Sequence, residues 1–157
     1  MNWYPHKTVA VVVEKPQSDV SADPRFLIVE EISAGRVVFN QPAGHLEPHE
    51  SLAQAAVREA LEETAWHVEL TGFIGLYQSE AVDNGICYIR SCFAARALHH
   101  DPERKLDNDI IRTHWFTLHE LQARQSQLRS PAVVTVIEDY LQGHVYPLSL
   151  VRDLSQA

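Results

Sequence analysis

The sequence predicts a layered α/β fold of the α+β kind, one domain over residues 1–157, and three observations carry that prediction. Apolar and β-branched runs come in the order strands, helix, strands, helices, without the regular strand–helix alternation of a doubly wound nucleotide fold. A chain of 157 residues suits one domain, since at that size roughly 70% of the unfolded surface is buried. A composition of 45% hydrophobic and 22% charged residues excludes wholesale disorder.

Lys7 to Glu14 is β-branched and almost wholly apolar, the pattern of a strand buried on both faces. Lys15 to Pro24 is polar with two prolines and reads as a loop. Arg25 to Ile32 returns as a strand, Ser33-Ala34-Gly35 marks a turn, and Arg36 to Phe39 is a further strand. Gln41 to His49 is an irregular loop in which Gly44 gives the backbone access to unusual angles. Ser51 to Ala65, rich in Ala, Leu, Glu and Arg and free of Gly and Pro, is the clearest helix. Strands follow at Val68 to Ser79 and Ile86 to Leu98 around a turn at Asp83-Asn84-Gly85. His99 to Asp109 is a charged loop, Ile110 to Phe116 a strand, and Leu118 to Gln125 a short helix. Ser130-Pro131 opens the last helix, with Pro131 at its first helical position; it runs through Tyr140 and Gly143 ends it.

Charge narrows the partners. Thirteen Lys and Arg stand against 21 Asp and Glu, a formal charge of −8, so the basic footprint of a nucleic-acid binder is missing. An anionic small-molecule substrate would then need a bound divalent cation to attract it. Cys87 and Cys92, five positions apart on one strand, point to opposite faces and are expected as free thiols. The segment from Met1 carries no apolar run long enough for a leader or a membrane span, so the expected compartment is the cytoplasm and the expected state a monomer or small homo-oligomer.

The chemistry concentrates in GHLEPHESLAQAAVREALEE, Gly44 to Glu63. At about 100° per residue, Glu59, Glu62 and Glu63 lie within about a third of a turn of one another. Val57, Ala60 and Leu61 project to the other side and are expected to form the buried stripe, while Leu52, Ala55 and Ala56 extend the glutamate stripe as a small, close-packing surface. Three clustered carboxylates repel one another unless solvated or neutralised, and hard ions such as Mg²⁺ or Mn²⁺ favour carboxylate oxygens. Arg58 is placed to pair with one of them. A solvated acidic helix face is the bland alternative. A glycine-containing loop at the helix entrance and Glu50 beside the helix start, where the dipole favours an anion, weigh against it.

Gly44, Glu50, Arg58-Glu59 and Glu62-Glu63 resemble the signature of the Nudix hydrolases, G-x5-E-x7-R-E-U-x-E-E-x-G-U, with Trp66 at the last bulky position. Two positions depart: Ala60 replaces a larger aliphatic residue, and Ala65 replaces the final Gly, where a left-handed helix exit is easier for glycine. Trp66 is expected to fill the space that Ala60 leaves. FNQPAGHLE, Trp115-Phe116 with Glu120-Leu121, LRSP at Leu128 to Pro131 and YPL at Tyr146 to Leu148 are similar to the NudJ-type phosphatase branch of that family. The resemblance implies an α/β/α sandwich around a mixed sheet. It implies Glu59 and Glu63 as metal ligands and Glu62 as a further ligand or water-orienting group. Arg58 would orient a carboxylate, Glu50 would hold the loop and helix together, and the backbone carbonyl of Ala43 would complete the metal shell. The implied activity is Mg²⁺-dependent hydrolysis of phosphoanhydrides, in nucleoside di- and triphosphates or hydroxymethylpyrimidine pyrophosphate, with release of inorganic phosphate. Alternatives are cleavage of ADP-ribose or another nucleoside diphosphate-X, and a nucleotide-sensing module without turnover.

Other candidates are weaker. Glu103, Asp107 and Asp109 are the acids that a late loop offers as catalytic base. Tyr4, Phe39, Tyr77, Tyr88 and Trp115 are able to stack on a heterocycle, although aromatics in strands are core by default. His45 and His49 are four apart, but Pro48 and the loop context undercut a zinc pair, and the serines lack a nucleophile elbow.

Overall fold

A computed structural model describes residues 3–155. Seven strands form one mixed sheet: β1 (His6–Glu14), β2 (Arg25–Ser33), β3 (Arg36–Asn40), β4 (Ala43–His45), β5 (Trp66–Glu80), β6 (Cys87–His100) and β7 (Ile110–Thr117). The order is β3-β2-β1-β6-β5, with β4 also on β1 and β7 also on β2. The β1–β6 pair is parallel and every other pair antiparallel, as a mixed sheet requires. Helix α1 (Leu52–Thr64) lies on one face, and α2 (Leu118–Gln122) and α3 (Ala132–Leu141) on the other. Alternation along β1 explains both layers. Val9, Val11 and Val13 pack toward α1, Ala55, Ala56 and Ala60 included; Ala10 and Val12 pack toward Val133, Val136 and Ile137 of α3.

What positions the site is a split in this sheet. β1 and β2 share the Glu14↔Phe26 pair and then part. β3 takes the freed edge of β2 from Val29 to Ser33, and β4 takes that of β1 from Thr8 to Ala10. Gln41 and Pro42 carry the chain between the two edges, anchored by Gln41 Nε2 donating to Val133 O at 2.7 Å and by Val11 N donating to Pro42 O at 3.0 Å.

Several expectations change. Gln41 to His49 is not all loop: Ala43–His45 is a short strand, found only through its pairing with β1. β5 and β6 run on to Glu80 and His100, with register shifts around Gly72 and Gly75 that let so long a pair bend. The helix from Leu118 ends at Gln122 and a 3₁₀ turn at Gln125–Gln127 follows, while Pro131 is the N-cap of α3 rather than its first helical residue. Val57 and Leu61 do not form the buried stripe of α1. Val57 is exposed and Leu61 half-buried, whereas Ala55, Ala56, Glu59, Ala60, Glu63 and Thr64 are buried. The small residues won the inner face because only they let the helix lie close against β1 and β4. Trp66 is half-buried against the cluster that includes Ala60, edge-on to Trp115. Cys87 and Cys92 are buried free thiols, and burial pushes the Cys92 thiol up to about 12. Among the described residues no helix is long and apolar enough to cross a membrane.

Candidate metal centre

Local sequence fixes both ends of α1. Ser51 is the N-cap: its hydroxyl accepts from Gln54 N at 3.0 Å while Gln54 Oε1 accepts from Ser51 N at 2.8 Å. Ala65 ends the helix in the left-handed region at φ 59° and donates its N–H to Leu61 O, so the exit that glycine would take more easily is kept despite the departure. The charged loop then folds back onto this end. Asp101 N donates to Ala65 O at 2.9 Å and Asp107 N to Glu62 O at 3.1 Å, satisfying carbonyls that the helix leaves open. That second bond carries the Asp107 side chain to the helix. Carboxylate oxygens of Glu59, Glu62 and Asp107 consequently lie within 4.8 Å of one another.

Gly44 makes room for this cluster. A Cβ on Gly44 would lie 2.0 Å from Glu59 Oε1, so the carboxylate occupies the space a side chain would take. Its φ is not in the left-handed region, which corrects the expectation of unusual backbone angles: the requirement is close approach. Glu63 sits one turn on, 7% exposed, and Ala43 N donates to its Oε2 at 3.0 Å. Burial pushes the Glu63 carboxyl up to about 9, the negative charges of Glu31, Glu59 and Asp107 adding to the shift and the Ala43 N–H opposing it. Burial also raises Glu59, against the pull of Arg58.

Arg58 gathers the remaining carboxylates. Its Nε and Nη2 form a fork on Glu50 at 2.9 and 2.8 Å, its Nη1 donates to Glu59 Oε1 at 2.9 Å and Glu62 Oε2 at 3.0 Å, and its Nη2 reaches His45 O at 3.0 Å. The hydrogen bonds from Arg58 hold the Glu50 carboxyl below its ordinary value, and those to Glu50 lead the rise of the guanidinium. Glu50 also accepts from Glu47 N at 2.8 Å, tying the loop to the helix. An oxygen-only set of three converging carboxylates, with a fourth buried beside it, fits a hard divalent cation and not a soft one.

The structure thus brings together Arg58, Glu59, Glu62 and Glu63 with Gly44, Glu50 and the Ala43 backbone. Of the three late acids it selects Asp107; Glu103 and Asp109 are exposed and outside the cluster. Of the aromatics, Phe39, Tyr77 and Trp115 pack against the core, Tyr77 with its hydroxyl donating to Asp139 at 2.6 Å. Tyr4 and Tyr88 instead border a group of rings with His6 and His45, whose ring nitrogens are 3.1 Å apart. His49 is an exposed turn residue at φ 67° and forms no pair with His45. Sequence reasoning missed Arg90, the one charged residue between Ile86 and Ala95, and Arg129, which reaches the buried Glu31 at 2.8 Å.

Residues 4–135 match the model of the NUDIX domain. The chain is 38% identical over 151 residues to phosphatase NudJ of Escherichia coli (strain K12), covering 96% of this chain and 93% of that one, with the same figures for phosphatase NudJ of Shigella boydii. Among solved structures, a NUDIX hydrolase from Nitrosomonas europaea superposes with a TM-score of 0.90 at 41% identity, covering 98% of this chain and 100% of that one. The NUDIX domain of Shewanella oneidensis NrtR, solved with ADP ribose, shares the fold at a TM-score of 0.70 and 16% identity, over 90% of each chain.

Proposed function

The chain belongs to the Nudix family of hydrolases, and on that premise we propose that it is a Mg²⁺- or Mn²⁺-dependent phosphatase of nucleoside di- and triphosphates or of hydroxymethylpyrimidine pyrophosphate, releasing inorganic phosphate. The observation that carries this reading is the convergence of Glu59, Glu62 and Asp107 within 4.8 Å, in space cleared by Gly44. The phosphatase activity in the names of the relatives that span nearly the whole chain supports the choice of product.

Glu59, Glu62 and Glu63 would hold the ion, with the Ala43 backbone carbonyl and Asp107 as further oxygen donors. When bound, the ion supplies charge neutralisation for phosphate oxygens and a water of lowered pKa. The protein supplies position. Arg58 fixes the rotamers of Glu59 and Glu62, and Glu50 fixes Arg58, so the carboxylates are pre-oriented before substrate arrives. Asp107, tethered through its own backbone to Glu62, would give one carboxylate oxygen to the ion and use the other to accept the proton of the attacking water. An acidic chain of net charge −8 handles an acidic substrate in this way.

The test is phosphate release from GTP, GDP, hydroxymethylpyrimidine pyrophosphate and ADP-ribose, with and without Mg²⁺. Orthophosphate from the first three and little turnover of ADP-ribose is the expected result, and Glu59→Gln abolishes most of it while remaining folded. Pyrophosphate and nucleoside monophosphate as the sole products from GTP would defeat the phosphatase reading.

A further inference from the structure

Opposite the carboxylates, the split sheet holds a second set of groups that the proposed chemistry does not use. Among the described residues, Arg90 Nη1 is a shielded side-chain nitrogen with no hydrogen-bond partner, and Thr8 Oγ1 and Asn40 Oδ1 are oxygens in the same condition. An uncompensated guanidinium is the costly member of that set. Pairing places Arg90 in a row across four strands, His45–Thr8–Arg90–Tyr77, with His6–Tyr88 as the next row outward on the same face. The His6 ring lies 5.4 Å from Tyr88 and 5.3 Å from His45, centroid to centroid. From the facing edge comes Arg129, bonded to Glu31 Oε1 at 2.8 Å, with Asn40 Nδ2 on the same oxygen at 3.5 Å. Arg129, Glu31 and Glu63 are the charged groups close enough to act on Arg90. Two guanidiniums, Arg90 in the row beside the rings and Arg129 on the facing edge, thus stand within electrostatic reach of each other.

We propose that Arg90 and Arg129 receive a phosphate group of the substrate away from the bond being cleaved, while the His6–His45–Tyr88 wall stacks on its heterocycle. Guanidinium is the side chain suited to phosphate oxygens, and it stays charged when buried. A ring wall beside it reads any planar heterocycle through its face, with modest selectivity. The arrangement also answers an electrostatic need. Carboxylates line one side of the split, and the non-reacting phosphate would be repelled there without a positive group on the other. This subsite rests on the reading of the substrate as a heterocycle bearing a pyrophosphate.

Calorimetric titration of GDP and of guanosine into calcium-loaded protein, with thermal melts of each ligand-free variant, tests it. Arg90→Met is expected to weaken GDP binding about tenfold to a hundredfold, the worth of a charge-assisted hydrogen bond, and to leave guanosine unchanged. The same variant should melt higher than the wild type, because it removes a half-buried guanidinium whose shielded Nη1 has no partner, whereas a structural arginine would lower stability when removed. Arg90→Lys should recover part of the GDP affinity. Tyr88→Ala should weaken GDP and guanosine by a similar factor. Wild-type GDP affinity in folded Arg90→Met overturns the proposal, as does a lower melting point in Arg90→Met joined to unchanged GDP binding in Arg90→Lys. Absence of GDP binding to the wild-type protein overturns it too. Arg90-dependent GDP binding without phosphate release would leave this subsite standing and defeat the phosphatase reading instead.

Discussion

Helices α1 and α3 cover opposite faces of one sheet, and they are built on opposite principles. α3 presents Val133, Val136 and Ile137 inward, fully buried, with no side-chain cap at its start. Apolar bulk leads in holding it down, helped by the bonds of Gln41 to Val133 O and of the Tyr77 hydroxyl to Asp139. α1 turns Ala55, Ala56 and Ala60 inward and puts Glu59 and Glu63 on that same buried face, leaving Val57 outside. Its position comes from a capping box, a left-handed exit, two backbone bonds from the 101–109 loop and the Arg58 fork on Glu50. The difference teaches that a helix held close by small residues and by its ends is free to spend its inner face on chemistry.

The largest stability effect should therefore fall on α3. Ile137→Ala removes a fully buried side chain from the cluster that includes Phe26, Ile28 and Leu121 and should cost about 2–5 kcal/mol. Turnover of the surviving folded protein should stay close to normal. A denaturation midpoint within error of wild type, or a specific loss of activity at full stability, would break the division of labour between the two helices.

Gly44→Ala should show the reverse pattern. The new Cβ would lie 2.0–2.5 Å from the Glu59 carboxylate, the mobile end of a side chain, so the helix can keep its place while the carboxylate swings out. If Glu59 holds the ion as proposed, the expected loss is about 10–100-fold in kcat/KM, with a melting point near wild type. Parallel kinetics and melts check it. Equal loss of stability would show that Gly44 serves the fold first.

The same contrast decides what could be read in advance. α3 was legible because its apolar residues recur at helical spacing and nothing competes with them. α1 was legible as a helix and as a carboxylate carrier, yet its inner face was not. Val57 and Leu61 are two of its three larger apolar residues, and hydrophobicity alone turns them inward; the sheet demanded small residues instead. Gly44 was legible as a requirement but for the wrong reason, since the collision it avoids is with a residue fifteen positions away. Asp107 was one acid of three, separated from Glu103 and Asp109 only by a backbone bond to Glu62. Arg90 and Arg129, 39 positions apart by their numbers, come within electrostatic reach where the sheet splits between β1 and β2, and no local pattern announces a split.

Glu63→Gln sharpens the comparison from within α1, with a smaller effect of opposite sign. Burial lifts this carboxyl from an ordinary 4.5 to about 9 in the folded chain. A folded value above the unfolded one means that the associated stability is full below about 4.5 and is lost progressively as the pH climbs toward 9. Chelator-treated wild-type protein should accordingly unfold more easily at pH 8 than at pH 5.5. Glutamine keeps an oxygen for the Ala43 N–H and has no proton to take up on folding, so it should flatten that dependence and stabilise the protein by about 1–2 kcal/mol at pH 8. Urea midpoints at the two pH values measure it; a variant less stable than wild type at pH 8 would show that the carboxyl itself helps hold α1.

The smallest effect belongs to Ala65, where α1 leaves the sheet. Its left-handed backbone costs an alanine about 1–2 kcal/mol, which glycine would avoid. Two terms oppose that gain. The Ala65 methyl is buried, and removing it forfeits about 0.8 kcal/mol. Glycine also widens the unfolded ensemble by about 0.4–1 kcal/mol. The three nearly cancel, so Ala65→Gly should move the unfolding free energy by less than about 0.5 kcal/mol and leave kcat/KM unchanged. Alanine therefore replaces the glycine of the family signature at little cost. A gain above about 1 kcal/mol in urea unfolding would mean that the strain outweighs the buried methyl. A loss of that size would mean that the methyl is a working part of how α1 is seated.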